Sequence, residues 1–489
     1  MSLDNNTRYI TVLGTQSDAG KSVIATALCR LMKRRGYRVA PFKAQNMSLN
    51  SWVTRDGNEI GMAQAVQAFA AGAEPSADMN PILLKPKGDT TSQVIVLGKP
   101  LGDRKAGDYY IGIDAMMDIA RNAIGRLSRE YDMIVIEGAG GAAEINMYDR
   151  DIANSRMARA VGSQIILVGD IERGGVFAGL YGTYVLLPEE DKKLVKGFII
   201  NKFRGDASLL TPGIEKLEAM TGVPVLGIIP YERLSIPSED SMAIENKCSS
   251  GPLDIDIAVV RLPYISNFTD FEPLERRARV RYVPLDIPIG SPDIVILPGT
   301  KNTMSDMGAL RKSPIFGDIK NLAESKVPVI GICGGFQMLG EKIIDNGIED
   351  GKIESISGLG LLPVTTTFDS YDKTTCQAIK KVTAGGPILG TIKGSTVRGY
   401  EIHMGKSTAM SPAFEDDGCI SPEGNIIGTY LHGLFDNENI TTALLKFACD
   451  KKGIPYEHAA GNSDPYDRLA DVVQKNLDMK KVLSIIENC

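Results

Sequence analysis

The first residues whose types and spacing indicate chemistry form the loop Gly14-Thr15-Gln16-Ser17-Asp18-Ala19-Gly20-Lys21-Ser22, between an apolar run and a helical pattern. A glycine-rich turn between a strand and a helix directs successive backbone N–H groups and the positive end of the helix at one point, where a phosphate binds. Lys21 supplies a cation for the β- and γ-phosphates, and Ser22 supplies a hydroxyl ligand for Mg²⁺. We therefore predict that Thr15, Gly20, Lys21 and Ser22 contact a bound nucleotide.

A second group surrounds Cys333 in the run Gly331-Ile332-Cys333-Gly334-Gly335-Phe336-Gln337, where an apolar strand pattern changes to a helical one. This is the arrangement of a nucleophile elbow with a thiol in place of the hydroxyl, since small neighbours let the strained turn expose its side chain. The N–H groups of the following helix can activate a thiol and hold an oxyanion. We predict that Cys333 is a catalytic nucleophile rather than a buried structural thiol.

A thiol nucleophile needs a base, and the chain contains three histidines. His432 ends an apolar run and precedes a glycine, a setting that suits a base at the end of a strand, so we predict that it serves Cys333. His403 also follows an extended run and is expected to line the substrate pocket. His458 lies near the C-terminus without such a setting and is expected at the surface.

Polar residues follow several of the apolar runs in the first half of the chain. Glu137 ends one such run, and an acidic residue at this point is where P-loop enzymes hold their metal, so Glu137 and Ser22 are the predicted Mg²⁺ ligands. Asn201 ends another run, where an amide can hydrogen-bond the edge of a purine. Taken alone, Lys43 and Asp170 are more often solvated charges, but several such residues at one end of a sheet indicate a site.

The elements that must position these residues are short β-branched runs alternating with helical patterns. Such alternation predicts an α/β fold with two domains, each a mainly parallel sheet flanked by helices. Most runs are continuously apolar, as expected of strands buried on both faces. The predicted strands are Ile10 to Leu13, Arg38 to Phe42, Met133 to Ile136, Gln164 to Val168, Gly197 to Ile200, Val225 to Ile229, Ile255 to Leu262, Val280 to Pro284, Ile294 to Leu297 and Val327 to Ile332.

A stretch rich in Ser, Pro and Gly separates the two series of strands. We therefore predict a domain with the phosphate loop over residues 1–235, a linker over 236–252, a second domain with the Cys333 turn over 253–445 and a C-terminal helical tail over 446–489. The length of 489 residues agrees with more than one domain.

Composition narrows the class of protein. The chain is 43% hydrophobic and 23% charged, with a net charge of −6, so it has no basic surface to attract nucleic acid or an anionic membrane. The polar N-terminus and the lack of long apolar runs predict a cytoplasmic protein without a membrane segment. Seven scattered cysteines argue against a disulfide framework or a zinc site. Small molecules are the expected partners, and the sequence leaves open whether the chain forms a homo-oligomer.

Several motifs resemble known families. The thiol elbow with its downstream histidine resembles class I glutamine amidotransferase domains, and the phosphate loop, with five residues between its glycines instead of the usual four, resembles the dethiobiotin synthetase group. Both motifs in this order resemble the cobyric acid synthase family of corrinoid amidases. Runs that generic P-loop or amidotransferase proteins do not share also match this family: Gln45-Asn46-Met47-Ser48-Leu49-Asn50, Asp56-Gly57-Asn58-Glu59-Ile60, Met79-Asn80-Pro81-Ile82-Leu83-Leu84-Lys85-Pro86 and Ile265-Ser266-Asn267-Phe268-Thr269-Asp270-Phe271.

The resemblance implies ATP- and glutamine-dependent amidation of the b, d, e and g carboxylates of adenosylcobyrinic acid a,c-diamide, with ATP and Mg²⁺ as cofactors and the corrinoid and glutamine as partners. It also implies that Asp18 lies near metal and phosphate and that Asn201 contacts the base. Asp149 or Asp151, in the loop after Glu137, is expected to face the corrinoid.

One feature departs from the amidotransferase pattern, because Gly433-Leu434 follow His432 where many relatives have Pro-Glu. The third member of the site is therefore either a neighbour such as Glu401 or absent. Two rival functions also stay open. One is the paralogous enzyme that amidates the a and c carboxylates of cobyrinic acid, and the other is a P-loop ATPase whose amidotransferase-like domain only binds a partner.

Overall fold

The computed structural model describes residues 7–87, 90–232, 248–249, 251–349, 351–457 and 464–487. The chain is divided between two units, and both are discontinuous in sequence. The first unit consists of Met1–Ser48, Asn58–Glu239 and Asn462–Cys489, and the second of Leu49–Gly57 and Asp240–Gly461.

This division differs from a simple cut along the chain in two places. The short segment Leu49–Gly57 belongs to the second unit although the chain on both sides of it belongs to the first. The predicted tail over 446–489 is also divided, since its beginning belongs to the second unit and the part from Asn462 onward to the first. Most of the predicted linker over 236–252 lies outside the described residues.

The first unit contains eleven of the described strands and ten of the described helices. Its strands are β1 (Arg8–Gly14), β2 (Val39–Phe42), β3 (Gln45–Met47), β5 (Glu59–Gly61), β6 (Ile82–Pro86), β7 (Thr91–Val96), β8 (Lys99–Lys105), β9 (Met133–Glu137), β10 (Gln164–Asp170), β11 (Val195–Phe203) and β12 (Val225–Pro230). Its helices are α1 (Lys21–Arg34), α2 (Met62–Ala71), α3 (Ala106–Ile111), α4 (Ile113–Leu127), α5 (Ser155–Val161), α6 (Val176–Leu186), α7 (Glu189–Lys192), α8 (Thr211–Thr221), α14 (Pro465–Asn476) and α15 (Met479–Glu487).

Six of these strands form a parallel sheet in the order β12-β11-β10-β1-β9-β2. Both faces of the sheet are buried, as the continuously apolar runs predict. Along β1, Ile10 and Val12 pack with Ile24 of α1, whereas Tyr9 and Leu13 point into hydrophobic clusters on the other face. The strand order places the carboxyl ends of β1, β9, β10 and β11 next to one another, at the edge where parallel sheets bind ligands. The predicted α/β class is confirmed.

A smaller sheet in the order β3-β6-β7-β8 accompanies the main one. Its β3 and β6 strands are parallel and the remaining pairs antiparallel. Buried polar residues link the segments around it: Lys85 of β6 pairs with Glu59 at 2.6 Å, and Asn80 accepts a hydrogen bond from Gly61 N at 2.9 Å. Three of the family-specific runs therefore converge in one buried region.

The helices α14 and α15 complete the core of the first unit. Leu469 and Val482 are buried in the same hydrophobic cluster as α1. Arg30 and Arg34 of α1 pair with Asp467 at 2.6 and 2.7 Å, and the hydrogen bond from Arg30 lowers the pKa of that carboxyl group. These contacts make α14 and α15 an integral part of the first unit.

The second unit repeats the α/β theme. Its strands are β4 (Ser51–Val53), β13 (Leu253–Arg261), β14 (Ala278–Pro284), β15 (Ile294–Leu297), β16 (Val329–Ile332), β17 (Lys342–Asn346), β18 (Ile353–Ser357), β19 (Val364–Phe368), β20 (Thr374–Lys381), β21 (Thr396–His403), β22 (Lys406–Ala409), β23 (Cys419–Ile420) and β24 (Ile426–Thr429). Its helices are α9 (Glu272–Glu275), α10 (Thr303–Arg311), α11 (Ile315–Glu324), α12 (Gly334–Leu339) and α13 (Glu438–Lys452).

The main sheet of this unit has the order β14-β13-β15-β16-β24-β23, with all neighbours parallel except the edge pair of β23 and β24. The sheet β18-β17-β19-β22 and the antiparallel pair of β20 and β21 complete the unit. Because β16 and β24 are parallel neighbours, the residues that follow them meet at one edge of the sheet. Among the described residues, no helix combines the length and the apolar character that a membrane crossing requires.

Candidate active sites

The phosphate loop joins β1 to α1 in the first unit. Gly20 precedes the helix with a φ of 97°, and a Cβ atom there would lie 1.9 Å from Asn201 Nδ2, so only glycine fits. Asp18 also has a positive φ, of 57°. The loop is therefore shaped both by its own backbone conformation and by Asn201 of β11, and it leads into a helix of 14 residues.

The side chain of Lys21 is held in place by the loop itself. Its Nζ donates hydrogen bonds to the carbonyl oxygens of Gln16, at 3.0 Å, and Gly140, at 2.8 Å. The second of these carbonyls follows β9, so the lysine connects the loops after two adjacent strands. A buried ammonium group in this position can exchange these carbonyls for phosphate oxygens.

Glu137, the last residue of β9, is 1% exposed and receives hydrogen bonds from three side chains. Ser22 Oγ donates to its Oε1 at 2.7 Å, Lys43 Nζ lies 3.0 Å from the same oxygen, and Gln67 Nε2 donates to Oε2. The structure thus brings together the two residues predicted to bind Mg²⁺, and adds the lysine that follows β2.

Gln67 is a member of this site that the sequence interpretation missed. It lies on the apolar helix α2, and its signal in the sequence is weak: Gln64 and Gln67 are two polar residues in an alanine-rich helix, both fully buried. Gln64 instead accepts a hydrogen bond from Asn46 at 2.9 Å. Only the folded structure shows that Gln67, and not Gln64, faces Glu137.

The donor set around Glu137 fits a hydrated magnesium ion. Mg²⁺ prefers hydroxyl and carboxylate oxygens and keeps several of its waters when it bridges a nucleotide. Ser22 and Glu137 supply such oxygens, and Gln67 Oε1 is a buried acceptor without a hydrogen-bond partner among the described residues, as an acceptor for a metal-bound water would be. Among the described residues, no group of three or more His, Cys, Asp or Glu side chains is arranged to bind a metal ion.

The end of β11 contacts the phosphate loop directly. Asn201 Nδ2 donates to the carbonyl oxygen of Ala19 at 3.0 Å, and Lys202 Nζ lies 2.9 Å from Asp18 Oδ2 and 3.1 Å from Asp170 Oδ2. Burial lowers the pKa of Lys202, but the two carboxylates outweigh it and the net shift is upward. The amide that was predicted to contact a purine therefore braces the loop, and the predicted contacts of Asn201 with the base and of Asp18 with metal remain predictions.

The loop after Glu137 contains the two aspartates expected to face the corrinoid. The Asp151 side chain forms hydrogen bonds within its own turn, where it accepts from Ala153 N at 2.9 Å and from Asn154 Nδ2 at 2.6 Å. Burial raises the pKa of its carboxyl group. Asp149 is exposed and so is the aspartate more accessible to a ligand.

In the second unit Cys333 occupies the predicted turn between β16 and α12. Its φ of 51° and ψ of −109° are strained, and its N–H group donates to Thr429 O at 2.8 Å. A Cβ atom on Gly335 would lie 2.0 Å from Leu297 O, so the following helix packs closely on the neighbouring strand. This is the geometry of a nucleophile elbow.

His432 follows β24 and is 1% exposed. Its Nδ1 lies 2.7 Å from Asp270 Oδ2, while Gly433 N donates to the other carboxylate oxygen at 3.0 Å. Burial alone would lower the pKa of His432, but Asp270 and the interaction with Cys333 outweigh it and raise the pKa to about 10. The imidazole is therefore fixed by Asp270 on one side and interacts with Cys333, which is the arrangement that a catalytic base for the thiol needs.

Asp270 is the second residue that the sequence interpretation missed. It lies 162 residues before His432, in the short 3₁₀ turn Phe268–Phe271. Its only sequence signal is its place in one of the family-specific runs. Glu401, the suggested third member, instead contacts Lys380 at 2.6 Å and His403 at 3.4 Å. Burial raises the pKa of Glu401, but the hydrogen bonds from His403 and Lys380 outweigh it and hold the pKa at about 2.

His403 follows Ile402, whose carbonyl oxygen contacts the Cys333 thiol, and its predicted place in the substrate pocket stays a prediction. Its ring stacks on Tyr430 with the centroids 3.7 Å apart, and its Nδ1 lies 3.0 Å from Gly405 O. Cys333 Sγ contacts the carbonyl oxygen of the preceding residue, Ile402, at 3.4 Å. His458, expected at the surface, lies outside the described residues.

Comparison with known proteins relates both units to characterised families. Residues 10–242 match the CobQ/CobB/MinD/ParA nucleotide binding domain, and residues 256–440 match the CobB/CobQ-like glutamine amidotransferase domain. Three similar proteins are described as probable cobyric acid synthases. The one from Methanocella arvoryzae is 64% identical over 98% of this chain and 99% of its own length. Those from Methanococcoides burtonii and Methanosarcina barkeri are each 57% identical over 98% of this chain, and over 97% and 99% of their own lengths.

Proposed function

We propose a complete reaction for this chain, which belongs to the cobyric acid synthase family of ligases with nucleotide-binding and glutamine amidotransferase domains. In this reaction the enzyme uses ATP and glutamine to amidate the b, d, e and g carboxylates of adenosylcobyrinic acid a,c-diamide, giving adenosylcobyric acid. The observation that supports it best is the presence in one chain of a Cys–His–Asp site and a phosphate loop whose Ser22 meets Glu137. The first produces ammonia and the second activates its acceptor.

The nucleotide-binding unit activates the carboxylate. A carboxylate does not react with ammonia, because oxide is not a leaving group, so its oxygen first attacks the γ-phosphorus of ATP and displaces ADP. The product is an acyl phosphate, from which ammonia displaces phosphate as the C–N bond forms. Lys21, already directed at the loop, neutralises charge on the transferred phosphoryl group. Ser22 and Glu137 would hold Mg²⁺, which supplies Lewis-acid charge stabilisation when bound.

The amidotransferase unit supplies the ammonia. The Cys333 thiolate attacks the side-chain amide carbon of glutamine, and the His432 imidazolium donates a proton to the departing nitrogen as the C–N bond breaks. Water then hydrolyses the thioester with His432 as base, releasing glutamate. Asp270 keeps the imidazole oriented in both steps, and it stabilises the cationic form that exists before the first proton transfer and after the second. Since ATP and glutamine are cytoplasmic metabolites, we assign the reaction to the cytoplasm.

Mass spectrometry of the corrinoid product tests this function. Incubation with ATP, Mg²⁺, glutamine and adenosylcobyrinic acid a,c-diamide should give a product with four carboxyl groups converted to amides, and the same reaction without ATP should give none. Cobyrinic acid, the substrate of the paralogous synthase, serves as the comparison.

Two outcomes would contradict the proposal. Conversion of only the a and c carboxylates of cobyrinic acid would identify the paralogous activity. ATP hydrolysis stimulated by a protein or by DNA, with neither corrinoid amidated, would indicate a partner-binding ATPase instead.

A further inference from the structure

We propose that the segment Leu49–Gly57 positions the catalytic base of the amidotransferase unit, so that glutamine hydrolysis requires a piece of chain outside the family-matched domain at 256–440. The inference rests on the proposed glutaminase function. In sequence, this segment lies between β3 and β5 of the first unit, about 200 residues before the domain that it completes. Two independent sets of contacts connect it to His432.

The first set is a stack of aromatic rings. Trp52 packs on Tyr400 with the ring centroids 4.8 Å apart, and Tyr400 in turn stacks on the His432 imidazole at 5.4 Å and 18°. The backbones of Tyr400 and His432 also exchange two hydrogen bonds, at 3.1 and 2.9 Å. Trp52 therefore supports the Tyr400 ring. The Tyr400 ring in turn limits the rotation of the His432 imidazole.

The second set fixes the turn that carries Asp270. Asn50 Oδ1 accepts a hydrogen bond from Phe268 N at 3.1 Å, and Ser51 N donates to Asn267 Oδ1 at 3.0 Å. Asn267 has a φ of 51°, and its carbonyl accepts from Asp270 N at 3.0 Å. The segment thus contacts both residues that open the turn, and the turn presents its carboxylate to His432.

The segment is anchored in the second unit by further contacts. Asn50 and Ser51 are fully buried, and Gln377 Nε2 donates to Val53 O. The segment ends in a turn, in which the N–H group of Gly57 donates a hydrogen bond to Thr54 O at 2.9 Å and Gly57 has a φ of 71°. A mobile loop would not keep such buried polar contacts, so these residues hold the base and its carboxylate in one arrangement.

A series of variants of the full chain tests the proposal. Trp52→Ala should lower kcat for glutamine hydrolysis about tenfold. This loss corresponds to the upper part of the range of interaction free energies of aromatic pairs. The KM for glutamine should change little. Ammonia-driven amidation of the corrinoid should be unchanged. Trp52→Phe, which keeps a ring against Tyr400, should restore most of the lost rate. Arg55→Ala, at an exposed position of the same segment, is the matched control and should behave as wild type.

Alkylation of Cys333 by iodoacetamide gives a second measurement that needs no corrinoid. The reaction is followed by peptide mass spectrometry. The alkylation rate at Cys333 should fall in Trp52→Ala but not in Arg55→Ala, because a misplaced imidazole no longer acts as the base of this thiol. The rate at the exposed Cys248 should stay constant in all variants.

Several results would overturn the inference. Glutamine hydrolysis and Cys333 alkylation that are unchanged in Trp52→Ala would exclude a positioning role, and so would an equal loss of ammonia-driven and glutamine-driven synthesis, which would indicate a general folding role. A wild-type protein that hydrolyses no glutamine would overturn the proposed function and this inference together, whereas a normal wild type with an unaffected Trp52→Ala variant would overturn only the inference.

Discussion

The two candidate active sites are assembled in different ways. The phosphate site is built mainly around one continuous loop, residues 14–22, to which the ends of parallel strands add Glu137 and Asn201. The thiol site has no such core, because Cys333, His432 and Asp270 come from three distant parts of the chain. A site built on a continuous loop can be recognised in the sequence as a motif. In a site built on long-range contacts, the sequence reveals only the most distinctive residue, here Cys333.

Charge is also handled differently in the two sites. Glu137 is buried among a hydroxyl, an amide and the Lys43 ammonium, a set that can rearrange when a cation arrives. His432 and Asp270 form a closed ion pair with both carboxylate oxygens in use. The first site is arranged to admit a ligand, and the second to keep one side chain charged.

The largest effect is expected from Cys333→Ala. Since the thioester forms on this sulfur, glutamine-driven synthesis should fall by roughly 10⁴-fold or more. Synthesis from ammonium chloride should continue, because the phosphate site does not use the thiol. The product is quantified by chromatography of the corrinoid. A comparable loss with both nitrogen donors would show that the two sites are not separable in this way.

Lys21→Ala should have the complementary effect. Without the ammonium that contacts the phosphoryl group, synthesis should fall by about 10³-fold with glutamine and with ammonia alike. Glutamine binding should persist. Isothermal titration calorimetry with glutamine should give the same affinity for the double variant Cys333→Ala/Lys21→Ala as for Cys333→Ala alone. A normal rate with ammonia would remove Lys21 from the chemistry.

Asp270→Asn should lower kcat for glutamine hydrolysis by about 100-fold, since an amide cannot stabilise the imidazolium. Because Asp270 contributes to raising the pKa of His432 to about 10, the alkaline limb of the kcat/KM profile should move toward neutral pH in the variant. Activity that needs the imidazolium is present below this pKa and is lost as the pH rises through it. The profile is measured from glutamate release.

Glu401→Gln is the matched comparison for Asp270→Asn. It removes the other carboxylate considered for the third position, which pairs with Lys380 and His403 instead of His432. In the Glu401→Gln variant, the alkaline limb of the kcat/KM profile should stay at the pH found for the wild type. If Glu401→Gln shifted the limb and Asp270→Asn did not, the assignment of the third member would be reversed.

Gln67→Leu is expected to have a smaller effect on the phosphate site than Lys21→Ala. Loss of the amide that holds Glu137 Oε2 should raise the Mg²⁺ concentration for half-maximal synthesis by about tenfold, with ammonia as donor. Gln64→Leu, on the same helix and equally buried but paired with Asn46, should change this concentration much less. Equal shifts in the two variants would mean that α2 acts through packing and not through Glu137.

Much of the fold was predictable because its signals are local. The apolar runs identified the main parallel strands, since a strand buried on both faces has few polar positions. The membership of Leu49–Gly57 in the second unit and of α14 in the first had no local signal. Both depend on contacts between distant segments, such as those of Arg30 with Asp467 and of Ser51 with Asn267.

The sequence by itself determined which residues have reactive side chains at the ends of strands: Lys21 and Ser22 after β1, Glu137 at the end of β9, Cys333 after β16 and His432 after β24. These follow from spacing along the chain, because a parallel sheet collects its strand ends at one edge. Only the tertiary structure decided which neutral or acidic side chain orients Glu137 and His432. Asp270 and Gln67 are ordinary polar residues in sequence, and they acquire their roles because folding buries them within hydrogen-bonding distance of His432 and Glu137.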